Sequence, residues 1–445
     1  MMLVQMILIA LLAVLIFTFI GYIPGTDETS VLMPITLALV LTNIDPILIL
    51  TFFIASIVTL NLTNLMPAAL VGLPGGVLSS PTIEHTLVVK ENQQSPLLIR
   101  KIAAAAFLGV IITIPLSFLI SQLILPFANL IKPYASYLFL FGAIFLALNS
   151  KNKFLSLWSI IPLGLLFQAF RALYWYFEIV PLNTNITTSF FLAITVGPLI
   201  HSLMSLFDPK QRQDLARDSL KTFKIPKNTN ENSINPFKVL NKEEIKNASL
   251  AAIISNFLFV LSPVGLIILL GETFSKKATK EEKPFLTVSI MSALAQATYL
   301  SGIIIPLFAL GIPLSPTAIG PGSALFNAPP VYTLENNLHF QLSSSQFVAA
   351  VLIGASIALL ITYLIINRYA TKFTYIILKK VPHEAVLGLF VGFVVLLSYM
   401  DAGIINVFGV FIISYISGSF NKLGVNVGVQ FMTLYAAPFL LGWLM

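Results

Sequence analysis

The sequence predicts an all-α polytopic membrane protein, on the basis of its composition, the length of its apolar runs and the position of its charges. Of the 445 residues, 57% are hydrophobic and only 10% are charged, whereas a soluble domain carries roughly 25% charged residues. Apolar runs of about 17–25 residues, the length that crosses a hydrocarbon core, recur from end to end. Lys and Arg cluster between these runs, as in the cytoplasmic loops of membrane proteins. We expect about 10–14 membrane segments.

Composition and motif content argue against several other classes of protein. The chain has no cysteine, which excludes disulfides, thiolate nucleophiles and Cys-ligated metals. Its net charge of +7 lies in loops between apolar runs, so it does not indicate nucleic-acid binding. The sequence has no phosphate-loop, metal-ligand or catalytic-triad spacing. We therefore expect no enzymatic activity, no catalytic residue, no bound metal and no cofactor apart from Na⁺ or H⁺ as a coupling ion.

A polar linker divides the chain into two halves that resemble each other. Residues 207–246 include nine Lys or Arg and are predicted to form a cytoplasmic linker between a first membrane repeat, 1–206, and a second, 247–445. The motif Pro-Ala-Ala-Leu-Val-Gly-Leu-Pro at 67–74 matches Pro-Leu-Phe-Ala-Leu-Gly-Ile-Pro at 306–313, at an offset of 239. A repeat of this length in a membrane protein predicts pseudo-two-fold symmetry with the working site between the repeats.

The number of crossings and the positions of the charges predict that the repeats are inverted. Each half contains five predicted crossings, and an odd number reverses the second half in the membrane. The segments 2–43 and 247–271 are expected to enter, break at Pro and return, as re-entrant hairpins do. All of the 25 Lys and Arg residues except Lys132 and Arg171 then fall in predicted inner loops, as the positive-inside rule requires. Both termini are expected on the external side of the cell membrane.

Four Pro- and Gly-rich breaks interrupt the apolar sequence, at 21–26 and 72–76 in the first half and at matching positions, 262–265 and 311–317, in the second. Broken helices free backbone N–H and C=O groups, which can bind anions and Na⁺ respectively. Packed kinks are the simpler explanation of any single break, but matched pairs favour a shared site. The predicted substrate-binding residues lie at or beside these breaks: Gly21, Pro24, Gly25, Thr26, Asn61, Thr63, Asn64, Gly72, Pro74, Gly75, Gly76, Ser79, Ser80, Gly311, Pro313, Ser315 and Thr317.

Two carboxylates, Asp27 and Glu28, follow the first break. If the break lies at mid-membrane, they are costly to bury and are expected to carry the coupling ion. If it lies at the surface, they are a solvated start of the next helix. Asp45 precedes Pro46 and is interpreted as an N-cap. His85 is expected to be a loop residue at the membrane interface.

The Pro/Gly elements resemble the large permease subunit, TctA, of the tripartite tricarboxylate transporters. The similarity is carried by Gly-Tyr-Ile-Pro-Gly at 21–25, Met-Pro at 33–34, Leu-Pro-Gly at 73–75 and Ile-Pro-Leu-Phe-Ala-Leu-Gly-Ile-Pro at 305–313, with a partial echo at 320–322. The resemblance implies uptake of citrate-like carboxylates, driven by an ion gradient, with an extracytoplasmic solute-binding protein and a small membrane subunit as partners. The chain departs from the family at 26–29, where Asp27 and Glu28 replace small neutral residues.

The sequence therefore predicts an ion-coupled permease for organic acids that works by alternating access between the repeats. Two alternatives stay open at this stage. One is a stand-alone permease for a different small solute, and the other is a membrane enzyme acting on a lipid-linked substrate. A non-transporting scaffold would not need matched broken helices.

Overall fold

The computed structural model describes residues 1–23, 28–72, 75–131, 134–148, 150, 152–180, 187–205, 235–380 and 383–441, and every structural statement below concerns these residues. They form helices and connecting loops without β-strands. In the first half the α-helices are α1 Met2–Gly21, α2 Glu28–Leu41, α3 Pro46–Thr63, α4 Leu65–Val71, α5 Ile83–Glu91, α6 Ser95–Ile124, α7 Ala128–Ile131, α8 Ala135–Leu148, α9 Lys153–Tyr176 and α10 Thr187–Ser205. A 3-10 helix, Val77–Thr82, precedes α5, and a shorter one, Leu125–Phe127, follows α6.

Each half contains ten α-helices among the described residues. A helix of the second half is called equivalent to one of the first half where the two overlap at the offset of 239 given by the sequence motif. The helices of the second half are α11 Pro236–Val239, α12 Lys242–Phe257, α13 Pro263–Ser275, α14 Lys283–Ala309, α15 Pro316–Ile319, α16 Ser323–Phe326, α17 Leu338–Gln341, α18 Ser344–Lys380, α19 His383–Lys422 and α20 Val427–Leu441. The last residues of the predicted linker already belong to α12. Most of the rest of the linker, 207–234, lies outside the described residues.

Seven helices of the described residues are long and apolar enough to cross a membrane. They are Met2–Gly21, Pro46–Val71, Ser95–Phe127, Lys153–Tyr176, Lys283–Ala309, Ser344–Ile377 and Val394–Lys422. Four shorter apolar helices accompany them, Val31–Leu41, Phe139–Leu148, Pro263–Ser275 and Val427–Leu440. The prediction of an all-α polytopic membrane protein is confirmed.

Proline and a polar N-cap begin the helices at the predicted places. Asp45 caps α3 by accepting a hydrogen bond from the backbone N–H of Ile47, 3.0 Å away, and Pro46 is the first helical residue. Ser262 and Pro263 begin α13 in the same manner. Pro suits the first turn because its missing N–H would have no partner there.

The repeated motif also ends its helix in the same way in both halves. Gly72 and Gly311 both adopt positive φ, 79° and 68°. The Gly72 N–H donates to the carbonyl of Pro67 at 3.2 Å, and the Gly311 N–H donates to that of Pro306 at 2.9 Å. This left-handed closure favours glycine because it has no Cβ to clash. Over the described residues 67–72 and 306–311, the sequence match is thus also a match in how the helix ends.

Long helices of each half pack on helices of the other half. The long helix α6 packs on α14 of the other half, and its equivalent α18 packs on α3. Gly109 of α6 lies so close to the carbonyl of Ala293 that an added Cβ would be 2.5 Å from it. Gly354 of α18 meets the carbonyl of Thr51 in α3 at 2.6 Å by the same measure. Glycine permits the close approach of the two helices at both contacts.

Ring contacts give the relative direction of the equivalent helices. Phe107 of α6 contacts Tyr363 of α18, with centroids 5.5 Å apart. Phe118, further along α6, contacts Phe347, which lies earlier in α18, at 6.3 Å. The two helices therefore run antiparallel.

Two further pairs extend this result to α3 and α14. Along α6 and α14, Phe118 contacts Phe308 at 5.4 Å, whereas Lys101 lies 5.5 Å above the ring of Phe285. From the first of these contacts to the second the residue number changes in the same direction in both helices, so α6 and α14 are parallel. In the same way α3 and α18 are parallel, since the contact at Thr51 and Gly354 is followed by a 3.2 Å contact between the hydroxyls of Thr59 and Thr362. It follows that α3 and its equivalent α14 also run antiparallel.

The helix α19 turns back on itself near its middle. Ala402 and Gly403 leave helical geometry, with Gly403 at φ 72°. The Asn406 amide donates to the carbonyl of Ser398 at 2.8 Å, although eight residues of continuous helix would separate them by about 12 Å. The turn lies beside the start of α10, where Ser189 donates to the Asp401 carboxylate.

Candidate functional site

The Glu28 carboxylate is enclosed in protein at the start of α2. Only 2% of the residue is exposed. The side-chain amide of Asn64 donates to its Oε1 at 3.2 Å, and the backbone N–H of Val77 donates to its Oε2 at 3.2 Å. A buried carboxylate requires such donors because desolvation penalises its charge. Glu28 is thus buried at the start of α2 rather than solvated there, and its role in ion coupling stays a prediction.

Gly75 and Gly76 let the backbone come close to this carboxylate. A Cβ on Gly76 would lie 2.5 Å from both Glu28 Oε1 and Asn64 Nδ2, and one on Gly75 would overlap the main chain of Asn64. Ser79 holds the loop in place. Its hydroxyl accepts from the Gly76 N–H at 3.0 Å and donates to the Gly76 carbonyl at 2.8 Å. The predicted Gly-Gly break therefore forms one wall of the Glu28 site.

Other predicted residues of the first half lie around this wall. Gly21 packs against the Thr63 side chain, whose hydroxyl donates to the carbonyls of Phe17 and Thr59 at 3.3 and 2.9 Å. Through this contact the end of α1 packs on the end of α3, next to Asn64. Two predicted residues face elsewhere, since Gly72 contacts Leu87 and Ser80 is exposed.

The second-half break forms a corresponding hydroxyl cluster. Ser315 Oγ accepts from the Ala318 N–H at 3.0 Å, donates to the Gly302 carbonyl and lies 3.0 Å from Thr317 Oγ1. Gly302 has no room for a Cβ because the Thr317 hydroxyl occupies that space. Gly311 and Pro313 are buried, and Gly311 contacts His339 and accepts a hydrogen bond from Asn337 at 2.8 Å.

The break regions of the two halves meet in the interior. Thr29, the neighbour of Glu28, lies against Gly320, with its Oγ1 3.4 Å from the place of a Cβ on that glycine. The helix α2 packs on α16, and the equivalent α13 packs on the 3-10 helix Val77–Thr82. Each break thus contacts the short apolar helix of the other half.

Five predicted site residues lie outside the described residues: Pro24, Gly25, Thr26, Asp27 and Pro74. The role of Asp27 in ion coupling therefore stays a prediction. Asn61 is described, and it lies in α3 rather than at a break. Its amide donates to the carbonyl of Ala295 in α14 at 3.3 Å.

An ion-pair group near the predicted inner side was not foreseen. His85 lies in α5, not in a loop, and its Nε2 is 2.6 Å from Glu272 Oε1 of α13. Lys283 Nζ lies 3.2 Å from Glu272 Oε2. Burial alone would raise the pKa of Glu272, but the hydrogen bonds and charges of His85 and Lys283 outweigh it and hold that pKa below its usual value. Pairing across 187 residues leaves no local sequence signal.

Sequence reasoning also missed Gln296, Gly302 and Gly320. Gln296 is fully buried, and its amide donates to the carbonyl of Val58 at 3.0 Å. An amide within the apolar stretch that became α14 was the available signal. Gly320 belongs to the partial echo of the family motif at 320–322 but was not selected as a site residue, and Gly302 gave no signal because it acts only through its contact with Thr317.

Comparison with protein families agrees with this architecture. The model of the family described as "Tripartite tricarboxylate transporter TctA family" matches residues 7–430, nearly the whole chain. No significant match was found among curated proteins or among solved structures. The matched region includes all four breaks, the Glu28 site and all seven candidate spans except the first few residues of α1. This α-helical membrane chain therefore belongs to the TctA family of tripartite tricarboxylate transporters, and it is a transporter.

Proposed function

We propose that the chain is the permease of an ion-gradient-driven secondary transporter for organic acids such as di- or tricarboxylates. The observation that carries the proposal is the enclosure of the Glu28 carboxylate by the Asn64 amide and the Val77 N–H. Hydrogen-bond donors that bind one buried carboxylate can also bind the carboxylate of a substrate. When Glu28 is neutralised or displaced, the same donors become available to a carboxylate of the substrate.

The arrangement of the helices supports transport between two inverted repeats. Equivalent helices run antiparallel, α6 against α18 and α3 against α14, and each packs on a helix of the other half. Many secondary transporters have this symmetry, with the substrate at the interface of the repeats and alternating access produced by motion of one unit against the other. The meeting of the two breaks at Thr29 and Gly320 is in keeping with a substrate position there.

Glu28 is the proposed coupling residue, together with Asp27. An ionisable group within a membrane protein is costly and is usually retained for a function such as proton or cation binding. Glu28 touches the glycine loop directly, so a change in its charge alters the donors available to the substrate. This gives a physical link between the ion and the organic acid.

The proposed partners are an extracytoplasmic solute-binding protein and a small membrane subunit, as the family's name as a tripartite transporter implies. The proposed topology has linker 207–246 in the cytoplasm and both termini outside. It agrees with the ion pair between Lys101 and Glu244 and with that between His85 and Glu272. Both pairs join residues predicted on the inner side.

A stand-alone permease for another solute is the second candidate, because Glu28 adds a negative charge where the resembled family keeps neutral residues. Proteoliposome uptake distinguishes the two. Labelled di- and tricarboxylates are offered with the binding protein and small subunit present or absent, while Na⁺ and pH gradients are varied separately. We expect carboxylate accumulation that requires one gradient and both partners. Absence of accumulation for every carboxylate, with the complete complex inserted, would overturn the proposal.

A further inference from the structure

Two buried amides cross-link α3 and α14 in a reciprocal manner. Asn61 Nδ2 of α3 donates to the carbonyl of Ala295 at 3.3 Å. Gln296 Nε2, from the next residue of α14, donates to the carbonyl of Val58 at 3.0 Å. Val58 and Asn61 are three residues apart and share one face of α3. The two amide groups therefore lie within one helical turn of each other.

The oxygens of these amides have no hydrogen-bond donor among the described residues. Asn61 Oδ1 and Gln296 Oε1 are both inaccessible to solvent and unpaired, in residues that are 2% and 0% exposed. A flipped amide does not remove the difficulty, because each NH₂ group faces a carbonyl, which can only accept. Leaving such oxygens unpaired is costly, so they are suited to bind a positively charged or donating group.

A third unpaired oxygen lies one turn further along α3. Asn64 Oδ1 is also buried without a donor, while Asn64 Nδ2 holds the Glu28 carboxylate. Asn61 and Asn64 are three residues apart and lie on the same side of the helix. The helices α3 and α14 thus supply buried neutral oxygens. The Asn64 oxygen borders Gly21 of α1 and belongs to the side chain that binds the Glu28 carboxylate.

We propose that Asn61, Asn64 and Gln296 form a Na⁺ site between α3 and α14, with Glu28 as the compensating charge. Carbonyl-type oxygens in the interior of a transporter suit Na⁺, whereas Ca²⁺ takes six to eight oxygens that usually include several carboxylates. The bound Na⁺ is coordinated by the three oxygens. It links the two repeats where α3 crosses α14. For its role in transport this inference rests on the proposed function, but binding of Na⁺ does not.

The test measures Na⁺ binding without any organic acid. Thermal unfolding of the purified full chain in detergent is followed during titration with NaCl or KCl at constant ionic strength. We expect NaCl to raise the unfolding temperature in a saturable manner and KCl to have no comparable effect. Gln296→Met and Asn61→Leu should weaken the apparent Na⁺ affinity about tenfold or more.

Gln430→Met is the matched control. Gln430 is fully buried, donates to the carbonyl of Ser417 at 3.1 Å and also has an unpaired oxygen, but it lies in α20. This variant should keep the Na⁺ response of the wild type. Gln296→Glu, which retains an oxygen at the site, should also retain the response.

A Na⁺ response that survives unchanged in Gln296→Met would overturn the proposal, as would equal responses of the wild type to NaCl and KCl. The second result is informative even when the variants do not fold. If Na⁺ binds as expected but no carboxylate is accumulated in the uptake assay, the proposed function fails and the ion site stands.

Discussion

Asn64 holds Glu28. The amide of Asn64, at the junction of α3 and α4, donates to the carboxylate of Glu28 at the start of α2, at 3.2 Å. This bond joins two helices that are separated by 36 residues in the chain, and it lies against Gly76. Because this hydrogen bond is buried, the charge and position of Glu28 determine whether the Asn64 amide donates to Glu28 or can donate to another group.

Neutralising Glu28 should uncouple transport without preventing folding. We expect Glu28→Gln to abolish gradient-driven uptake, because the side chain keeps its size and can still contact Asn64 but carries no charge. Uptake by proteoliposomes and the elution profile in size-exclusion chromatography check this. Glu84→Gln, an exposed carboxylate of α5, is the control and should transport normally. Wild-type uptake by Glu28→Gln would contradict the coupling role.

A methyl group on Gly76 should disrupt the site. The added Cβ of Gly76→Ala would lie 2.5 Å from Glu28 Oε1 and Asn64 Nδ2, so one of these groups must move. We expect the uptake rate to fall at least about tenfold, which corresponds to an increase of about 1.4 kcal/mol in the activation free energy. Gly265→Ala is the control, since its Cβ would meet Ser262 at an ordinary 3.6 Å. Equal uptake by the two variants would argue against the Gly76 contact.

The close helix approaches should appear in stability. Gly109→Ala and Gly354→Ala place a Cβ 2.5 and 2.6 Å from main-chain carbonyls, and such overpacking costs about 1–3 kcal/mol. Their unfolding temperatures in detergent should fall. Gly392→Ala, in α19 with nothing within 4 Å of the added Cβ, should leave the temperature unchanged or raise it. Similar temperatures for all three variants would count against the packing described here.

The Glu272 ion pairs predict a small pH-dependent contribution to stability. A carboxyl pKa below its usual 4.5 stabilises the fold above that value, and the stabilisation is lost as the pH falls through the lower folded-state pKa. Its size should stay below about 1 kcal/mol, because surface pairs are screened by solvent and the Glu272 side chain is 42% exposed.

Unfolding temperatures of the wild type and Glu272→Gln, measured from neutral pH to about pH 4, test this contribution. The difference between them should shrink as the pH falls. Glu281→Gln, an exposed carboxylate of the neighbouring loop, serves as the control. A difference that grows with acidification would show the sign to be wrong.

The absence of cysteine makes the topology directly testable with single-cysteine variants. Glu335→Cys lies in the loop between α16 and α17 and should react with a membrane-impermeant maleimide in intact cells. Glu281→Cys, in the loop between α13 and α14, should react only after permeabilisation. Both positions are exposed. The reverse pattern, or labelling of both from outside, would contradict the proposed orientation.

Much of the architecture followed from local sequence. Apolar runs and a polar residue before Pro are local properties, so α3 begins at Pro46 after the Asp45 cap, as predicted. The repeated motif aligned Gly72 with Gly311, and both adopt positive φ, a conformation that glycine allows because it has no Cβ. Glu28 was selected as a candidate because a carboxylate beside an apolar run is unusual.

What only the tertiary structure decided is which groups meet. Hydrophobic burial is non-directional, so the sequence did not tell that α6 packs on α14, or that His85 lies in a helix and pairs with Glu272. The burial of Glu28, its contact with Asn64 and Val77, and the reciprocal amides of Asn61 and Gln296 depend on side chains 36 to 238 residues apart. Sequence determined the elements and the unusual residues; the packing of antiparallel equivalent helices decided which of those residues share a site.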